Sequence, residues 1–520
     1  MRWLAALVAL LFLSSGATAA GGPVASTREG RLEGVSRGGV NAFLGIPFAA
    51  PPVGEKRWRA PQPVPRWNGV RAATAFGPAC WQAVTPEGFG PWSREYVVQG
   101  EVSEDCLTLN VWTSAPAARR RPVLVWIHGG GFNSGSGAIP IYHGHALAKR
   151  GIVVVTINYR VNVFGFLAHP ELSKEAGGAP PANFGLQDMI AALRWVRENI
   201  GAFGGDPAAV TIAGQSAGAM AVHELIASPM ARGLFHRAIA QSGLPPLRPL
   251  PGLNHAEREG LAFAAEKGAS SLAALRALPA EALQPKNGSN TGRFMPVVDG
   301  RLLPLSPLDA LRSGRAADVP VLAGFTADEA SAASDYGSDD PALLEELLRD
   351  NYGPAAERVA ALYPAATAAE RARSIMEMHR DRWRGTFYLW AKDRRARGRA
   401  PLYAYIFSRV APGPQSTRWR AFHSSEIPYV FGTLDAAPER GFTAADRAFS
   451  ERVADYWVNF VRTGNPNGPG LPDWPAFADG ERPLVMELGD AAALQPLLAP
   501  EKLRWLQEQL ERQRSGTPSP

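Results

Sequence analysis

Residues 209–227, AVTIAGQSAGAMAVHELIA, join an apolar run to a helical one through Gly214-Gln215-Ser216-Ala217-Gly218. The run at 209–213 is short, β-branched and apolar, and reads as a buried strand; 217–227 reads as a helix. A chain that turns from strand to helix within one residue needs small residues two before and two after the turn. Larger side chains there would collide with adjoining backbone. The turning residue is strained and holds its side chain above the sheet, over a helix N-terminus. A serine at that position is a candidate nucleophile. The five-residue pattern alone says little, because Gly34-Val35-Ser36-Arg37-Gly38 also satisfies it. No buried strand precedes that second match and no helix follows it, so it reads as an ordinary turn. Context singles out Ser216.

The rest of the chain supplies the sheet such a junction requires. Short apolar runs at 123–127, 152–157, 210–213, 238–241, 319–324 and 402–407 read as strands. Between the second and third, Leu186, Met189, Ile190, Leu193, Val196 and Ile200 recur at helical spacing. Strands alternating with helices predict an α/β fold with a large, mainly parallel central sheet flanked by helices. Residues 341–399 are rich in Ala, Leu, Glu and Arg and read as a helical insertion, opened by an Asp340 N-cap and Pro341. A last helix is expected at 501–512, then a disordered Ser/Pro/Gly tail at 514–520. No internal repeat is present, so 21–513 reads as one domain.

Residues 1–20 stand apart: Arg2 gives a positive start, 4–13 an apolar run, and Ala17-Thr18-Ala19 small residues for cleavage. The run is too short for a permanent span, and no later segment reaches ~18 apolar residues. This predicts an exported protein, periplasmic or extracellular, with no stable membrane anchor. Abundant Ala, Arg, Gly and Pro with few Lys suit a GC-rich bacterial genome. The two cysteines, Cys80 and Cys106, are then expected to pair. Closing that loop would restrict the unfolded chain by roughly 3.5 kcal/mol in the loop-entropy model. The net charge of +6 comes with local basic spots at Arg119-Arg120-Arg121 and Arg394-Arg395. No basic face with interleaved aromatics accompanies them, so no nucleic-acid partner is expected.

A serine nucleophile needs a base, an acid to orient it, and donors for the oxyanion. His128-Gly129-Gly130-Gly131-Phe132 follows the strand at 123–127, so Gly130 and Gly131, with the N–H of Ala217, are the candidate oxyanion hole. In doubly wound hydrolases the order is serine, acid, histidine, which leaves His223, His236, His255, His379 and His423. His423 lies in a loop soon after the strand at 402–407 and is preferred; His223, on the helix leaving the turn, should face away. The strand at 319–324 leads to Asp328-Glu329, and chemistry alone does not choose between these two carboxylates.

At this point the sequence resembles the type-B carboxylesterase/lipase family, which includes the cholinesterases. The likeness spans roughly residues 22–490. Its marks are GIPFAAPPVG at 45–54, SEDCLTLNVW at 103–112, HGGGF at 128–132, NFGLQDMIAALRWV at 183–196 and NIGAFGGDPAAVTIAGQSAGA at 199–219. Further on are GFTADEA at 324–330, HSSEIPYVFG at 423–432 and FVRTGNPN at 460–467. The resemblance implies an α/β-hydrolase fold, nucleophile Ser216, acid Glu329, base His423, the Cys80–Cys106 bridge and a glycine oxyanion hole. It implies a small-molecule ester as substrate and no cofactor, and leaves the oligomeric state open. The leading expectation is an exported serine carboxylesterase working through an acyl-enzyme. The alternatives are a lid-gated lipase or a non-catalytic adhesion protein, which the intact serine, acid and histidine disfavour.

Two departures from the family pattern carry information. Relatives usually place Glu just before the nucleophile, and this chain has Gln215. The stretch Gly243-Leu244-Pro245-Pro246-Leu247-Arg248 lacks the aromatic acyl-pocket residue expected in cholinesterases. Trp81, Trp92 and Tyr96, inside the Cys80–Cys106 loop, could line a gorge wall or equally pack the loop. His143-Gly144-His145 is the one H-x-H, without a further ligand nearby, so no metal is expected.

Overall fold

Strands from across the chain, most of them buried apolar runs, pair into one sheet of eleven. The computed structural model describes residues 21–114, 120–247, 249–284 and 292–515. Residues 1–20, read above as a leader, Arg119, Arg248 and residues 516–520 lie outside the described residues. In chain order the strands are β1 (Val35–Arg37), β2 (Val40–Pro47), β3 (Thr108–Thr113), β4 (Arg121–Ile127) and β5 (Val153–Ile157). They continue as β6 (Gly205–Gln215), β7 (Arg237–Gln241), β8 (Val321–Thr326), β9 (Leu402–Phe407), β10 (Leu484–Leu488) and β11 (Ala492–Pro496). Their order across the sheet is β11-β10-β9-β8-β7-β6-β4-β5-β3-β2-β1. The seven strands from β10 to β5 are parallel, and antiparallel strands close both edges.

All six strands expected from sequence lie in this parallel block. The other five strands were missed: β1 and most of β11 are exposed, β2 and β10 interleave partly exposed residues with buried ones, and polar Thr108, Asn110 and Thr113 interrupt the buried run of β3. The second Gly-x-Ser-x-Gly match is not a turn: Ser36 is the middle of the exposed edge strand β1, opposite Asn41.

Alternate residues of the central strands face opposite sides. On β4, Val123, Val125 and Ile127 join one apolar core, and Leu124 and Trp126 the other. Helices α1 (Phe184–Asn199) and α2 (Ala217–Ala227) cover the first face with Leu186, Met189, Leu193, Val222 and Leu225. The insertion begins with α3 (Pro341–Tyr352), where Asp340 accepts from the N–H of Ala342, and continues to α4 (Ala368–Arg397). The second face is covered by α5 (Ala444–Thr463), through Phe449, Val453, Trp457 and Phe460. Burying each such side chain stabilises the fold by about 1.5–3 kcal/mol. A closing helix, α6 (Pro500–Ser515), packs on α3 and α4.

One feature of the strand order decides where chemistry can sit. β4 is flanked by β5 on one side and β6 on the other, so the chain reverses its direction of travel across the sheet there. In open parallel sheets, the crevice at the carboxyl ends of strands beside such a reversal is where ligands bind. The loop after β4 begins at His128 and the turn after β6 is Ser216. Both candidate elements meet at that crevice.

Candidate active site

Ser216 sits between β6 and α2 with φ 58° and ψ −127°. Its N–H donates to the carbonyl of Gln241 at 2.9 Å, anchoring the turn to β7. The flanking glycines are dictated by contact. A Cβ on Gly214 would lie 2.4 Å from the Gly218 backbone, and one on Gly218 would lie 2.1 Å from the Ile127 carbonyl oxygen. No side chain fits at either position, so the serine is held at a sharp turn with its side chain toward a cavity.

The glycine loop after β4 forms the adjoining wall. Gly130 has φ 105°, and a Cβ there would stand 2.2 Å from the Ser134 carbonyl oxygen. Among the described residues the backbone N–H groups of Gly130, Gly131 and Ala217 donate to no other group. Gln82, which no sequence signal marked, braces this loop: it accepts from the N–H of Gly135 at 2.7 Å and donates to its carbonyl at 2.8 Å. Beneath it the Tyr159 hydroxyl donates to the His128 carbonyl at 2.9 Å, and the two rings stack at 4.3 Å. Burial holds the His128 imidazole down to about 4, so it stays neutral.

The two adjacent carboxylates face in different directions. Glu329 accepts the N–H of Thr326 with Oε1 at 2.8 Å and meets His423 Nδ1 with Oε2. Asp328 points away: it accepts from the Tyr336 hydroxyl at 2.6 Å and from Arg380 Nη2 at 2.5 Å. Its backbone and Oδ2 also clamp Ala421, tying the loop after β8 to the loop that carries His423. Loss of water around the His423 ring works against its charged form. The charge and hydrogen bond of Glu329, with Glu426 behind, outweigh this and hold it above the ordinary histidine value. Glu426 itself is buried, takes the Gln241 amide on Oε1 at 3.1 Å, and is pushed up to about 7 by burial and the charge of Glu329.

The other histidines lie elsewhere. His223 is buried against Trp390 and held down to about 3, chiefly by burial. His236 Nδ1 accepts from the N–H of Val210, His379 meets Asp335, and His143 stacks on Phe76 at 4.9 Å.

Ser216, Gln215, His423 and the three glycines line one wall of a cavity of about 310 Å³. The facing wall belongs to the loop closed by the Cys80–Cys106 disulfide. Trp92 and Tyr96 line the cavity, whereas Trp81 turns the other way, against the main apolar core beside the disulfide. The Trp92 indole also donates to the carbonyl of His423 at 3.1 Å, so the loop holds the histidine as well as enclosing it. None of the lining side chains is Asp, Glu, Lys or Arg. Strain concentrates here too: Phe132, Ser216, Ser242 and Ser424 all have positive φ, each costing of order 1–3 kcal/mol.

Comparison with known proteins points the same way. The family model described as the carboxylesterase family matches residues 21–505. The chain is 38% identical over 473 residues to fumonisin B1 esterase of Sphingopyxis macrogoltabida, covering 87% of this chain and 84% of that one. It is 36% identical over 485 residues to para-nitrobenzyl esterase of Bacillus subtilis (strain 168), covering 88% and 93%. A solved structure of PNB esterase superposes with a TM-score of 0.77 at 33% identity, covering 93% of this chain and 99% of that one.

Proposed function

The chain belongs to the carboxylesterase family and is a carboxylic ester hydrolase of α/β-hydrolase fold, and from that premise we propose an exported serine esterase acting on small uncharged esters. Ser216 Oγ attacks the ester carbonyl while His423 Nε2 takes its proton. Glu329 fixes the Nδ1–H tautomer and stabilises the imidazolium, and the N–H groups of Gly130, Gly131 and Ala217 receive the oxyanion. His423 then protonates the leaving alcohol, and water attacks the acyl-enzyme by the same route. The observation that carries this reading is the convergence of serine, histidine and unpaired glycine N–H groups on one cavity, with Glu329 behind the histidine. Export is supported by the leader-like residues 1–20 and by the disulfide. Among the described residues no helix is long and apolar enough to cross a membrane. Incubation with an organophosphonate tests the reading: one label per chain, on Ser216, is expected. Absence of labelling in folded protein would refute it.

The cavity's chemistry sets the substrate class. A quaternary ammonium is held by aromatic faces and by nearby negative charge. Trp92, Tyr96 and Tyr142 supply faces, but no carboxylate lines the cavity, and Gln215 stands where cholinesterases place one. A charge beside a partly desolvated cation is worth about a few kcal/mol at an effective dielectric near 20. The kcat/KM for butyrylcholine is therefore expected to fall well below that of an uncharged isostere, and Gln215→Glu should narrow the gap. A native preference for the choline ester would overturn this assignment.

A further inference from the structure

The hydrogen-bond partner of His423 Nε2 is not the serine. Among the described residues Ser216 Oγ has no hydrogen-bond partner, whereas the side-chain nitrogen of Gln215 lies 3.1 Å from Nε2. Gln215 is 2% exposed. Its side chain is walled in by the glycine loop: a Cβ on Gly129 would stand 3.1 Å from Gln215 Oε1 and 2.8 Å from its backbone oxygen. With Nδ1 facing Glu329, the neutral ring carries its lone pair on Nε2, and the Gln215 amide is a donor aimed at it. The Ser216 hydroxyl needs that same lone pair. Amide and serine compete for one acceptor.

We propose that Gln215 is a positioning residue of the reaction, clasping the base through Nε2 in the unliganded site and releasing it to Ser216 when an ester seats. The inference rests on the catalytic reading above. It follows from proton bookkeeping: as Oγ bonds to the carbonyl carbon, its proton moves to Nε2, which becomes a donor. An amide N–H still aimed at Nε2 would then oppose that new N–H, so the clasp has to open before the transfer. A carboxylate at this position, as in relatives, accepts only and cannot clasp the neutral base.

The clasp also has a sign. A donor on the lone pair favours the neutral ring, so removing it raises the pKa of His423. The charged groups that bear on this ring are Glu329 and Glu426, with Tyr96, Tyr142 and Tyr405 beside those carboxylates. None of them changes when residue 215 does. The test uses full-length protein with ¹⁵N-labelled histidine, native and Gln215→Met, with Gln215→Asn as a second variant too short to reach. Titration of the His423 ring by NMR should show a pKa raised by about half to one pH unit in both variants. The acid limb of kcat/KM, which reports the free enzyme, should move by the same amount, and the acid limb of kcat, which reports the substrate complex, should not. An unmoved ring pKa would overturn the clasp, and equal movement of both limbs would overturn its release. NMR reads the ring without turnover, so failure of the clasp is distinct from failure of the catalytic reading, which is judged by labelling of Ser216.

Discussion

Ser216→Ala is expected to lower kcat/KM by ~10⁴- to 10⁶-fold while leaving the fold intact. The size follows from the role: without the nucleophile, only the oxyanion donors and substrate binding remain to accelerate attack by water. Intact folding follows from the geometry. The hydroxyl faces the cavity and has no hydrogen-bond partner among the described residues, so its removal orphans nothing. The positive φ at position 216 is as strained for alanine as for serine, since both carry a Cβ. Hydrolysis of an uncharged nitrophenyl ester gives the rate, and thermal unfolding gives the stability. Full activity in this variant would remove the mechanism. Ser36→Ala, on the exposed edge strand, serves as the control and should change neither quantity.

Glu329→Gln should cost roughly 10³- to 10⁴-fold in kcat, because an amide presents its N–H to Nδ1 and favours the wrong tautomer of His423. Loss of the carboxylate also removes the group that raises the histidine's pKa. The imidazolium cannot accept the serine proton, so activity is lost as pH falls through that pKa, and the acid limb should shift to lower pH in the variant. Asp328→Asn should behave differently. Asp328 is buried and paired with Arg380, so losing its charge leaves that guanidinium with Glu377 alone and weakens the hydrogen bonds that Asp328 makes, costing on the order of 1–3 kcal/mol of stability. Its chemistry does not touch the histidine, so the kcat of the folded fraction should stay within about tenfold of native. Should Asp328→Asn prove the more damaging to kcat with its fold intact, the acid has been assigned to the wrong carboxylate.

The contrast between these neighbours shows where sequence reasoning stops. Two adjacent carboxylates after a strand are chemically equivalent on paper. What separates them is a single N–H from Thr326 and the seat of Arg380 on a helix fifty residues on, and neither leaves a local signal. The turn at Ser216 was legible for the opposite reason: Gly214 and Gly218 are fixed by contacts within the strand–helix unit, so the constraint is written in adjacent residues. Six of the seven parallel strands were legible because burial on both faces makes them almost continuously apolar, whereas β10, with Leu484 exposed and Glu487 half-buried, was not. β1 and β11 pair through backbone atoms while their side chains meet water, so composition does not mark them. Trp92 and Trp81 were indistinguishable within one disulfide loop, and only the path of that loop sends one to the cavity and the other to the main core. Gln215 was visible as a missing charge, but its reach to His423 depends on a loop two hundred residues away.

The reversal of strand order beside β4 has a consequence for how activity is acquired. The proposed glycine donors, nucleophile, acid and base hang from four strands that are drawn from distant parts of the chain and joined by parallel pairing. Such pairing closes long loops before it rewards them, which makes it slow relative to local helix formation. No fragment that stops short of β9 holds the four groups together, and the Cys80–Cys106 loop has no histidine to lean on until that strand is in place. The proposed active site is thus a late product of the folding pathway: a newly made chain stays chemically silent until its central sheet is nearly complete.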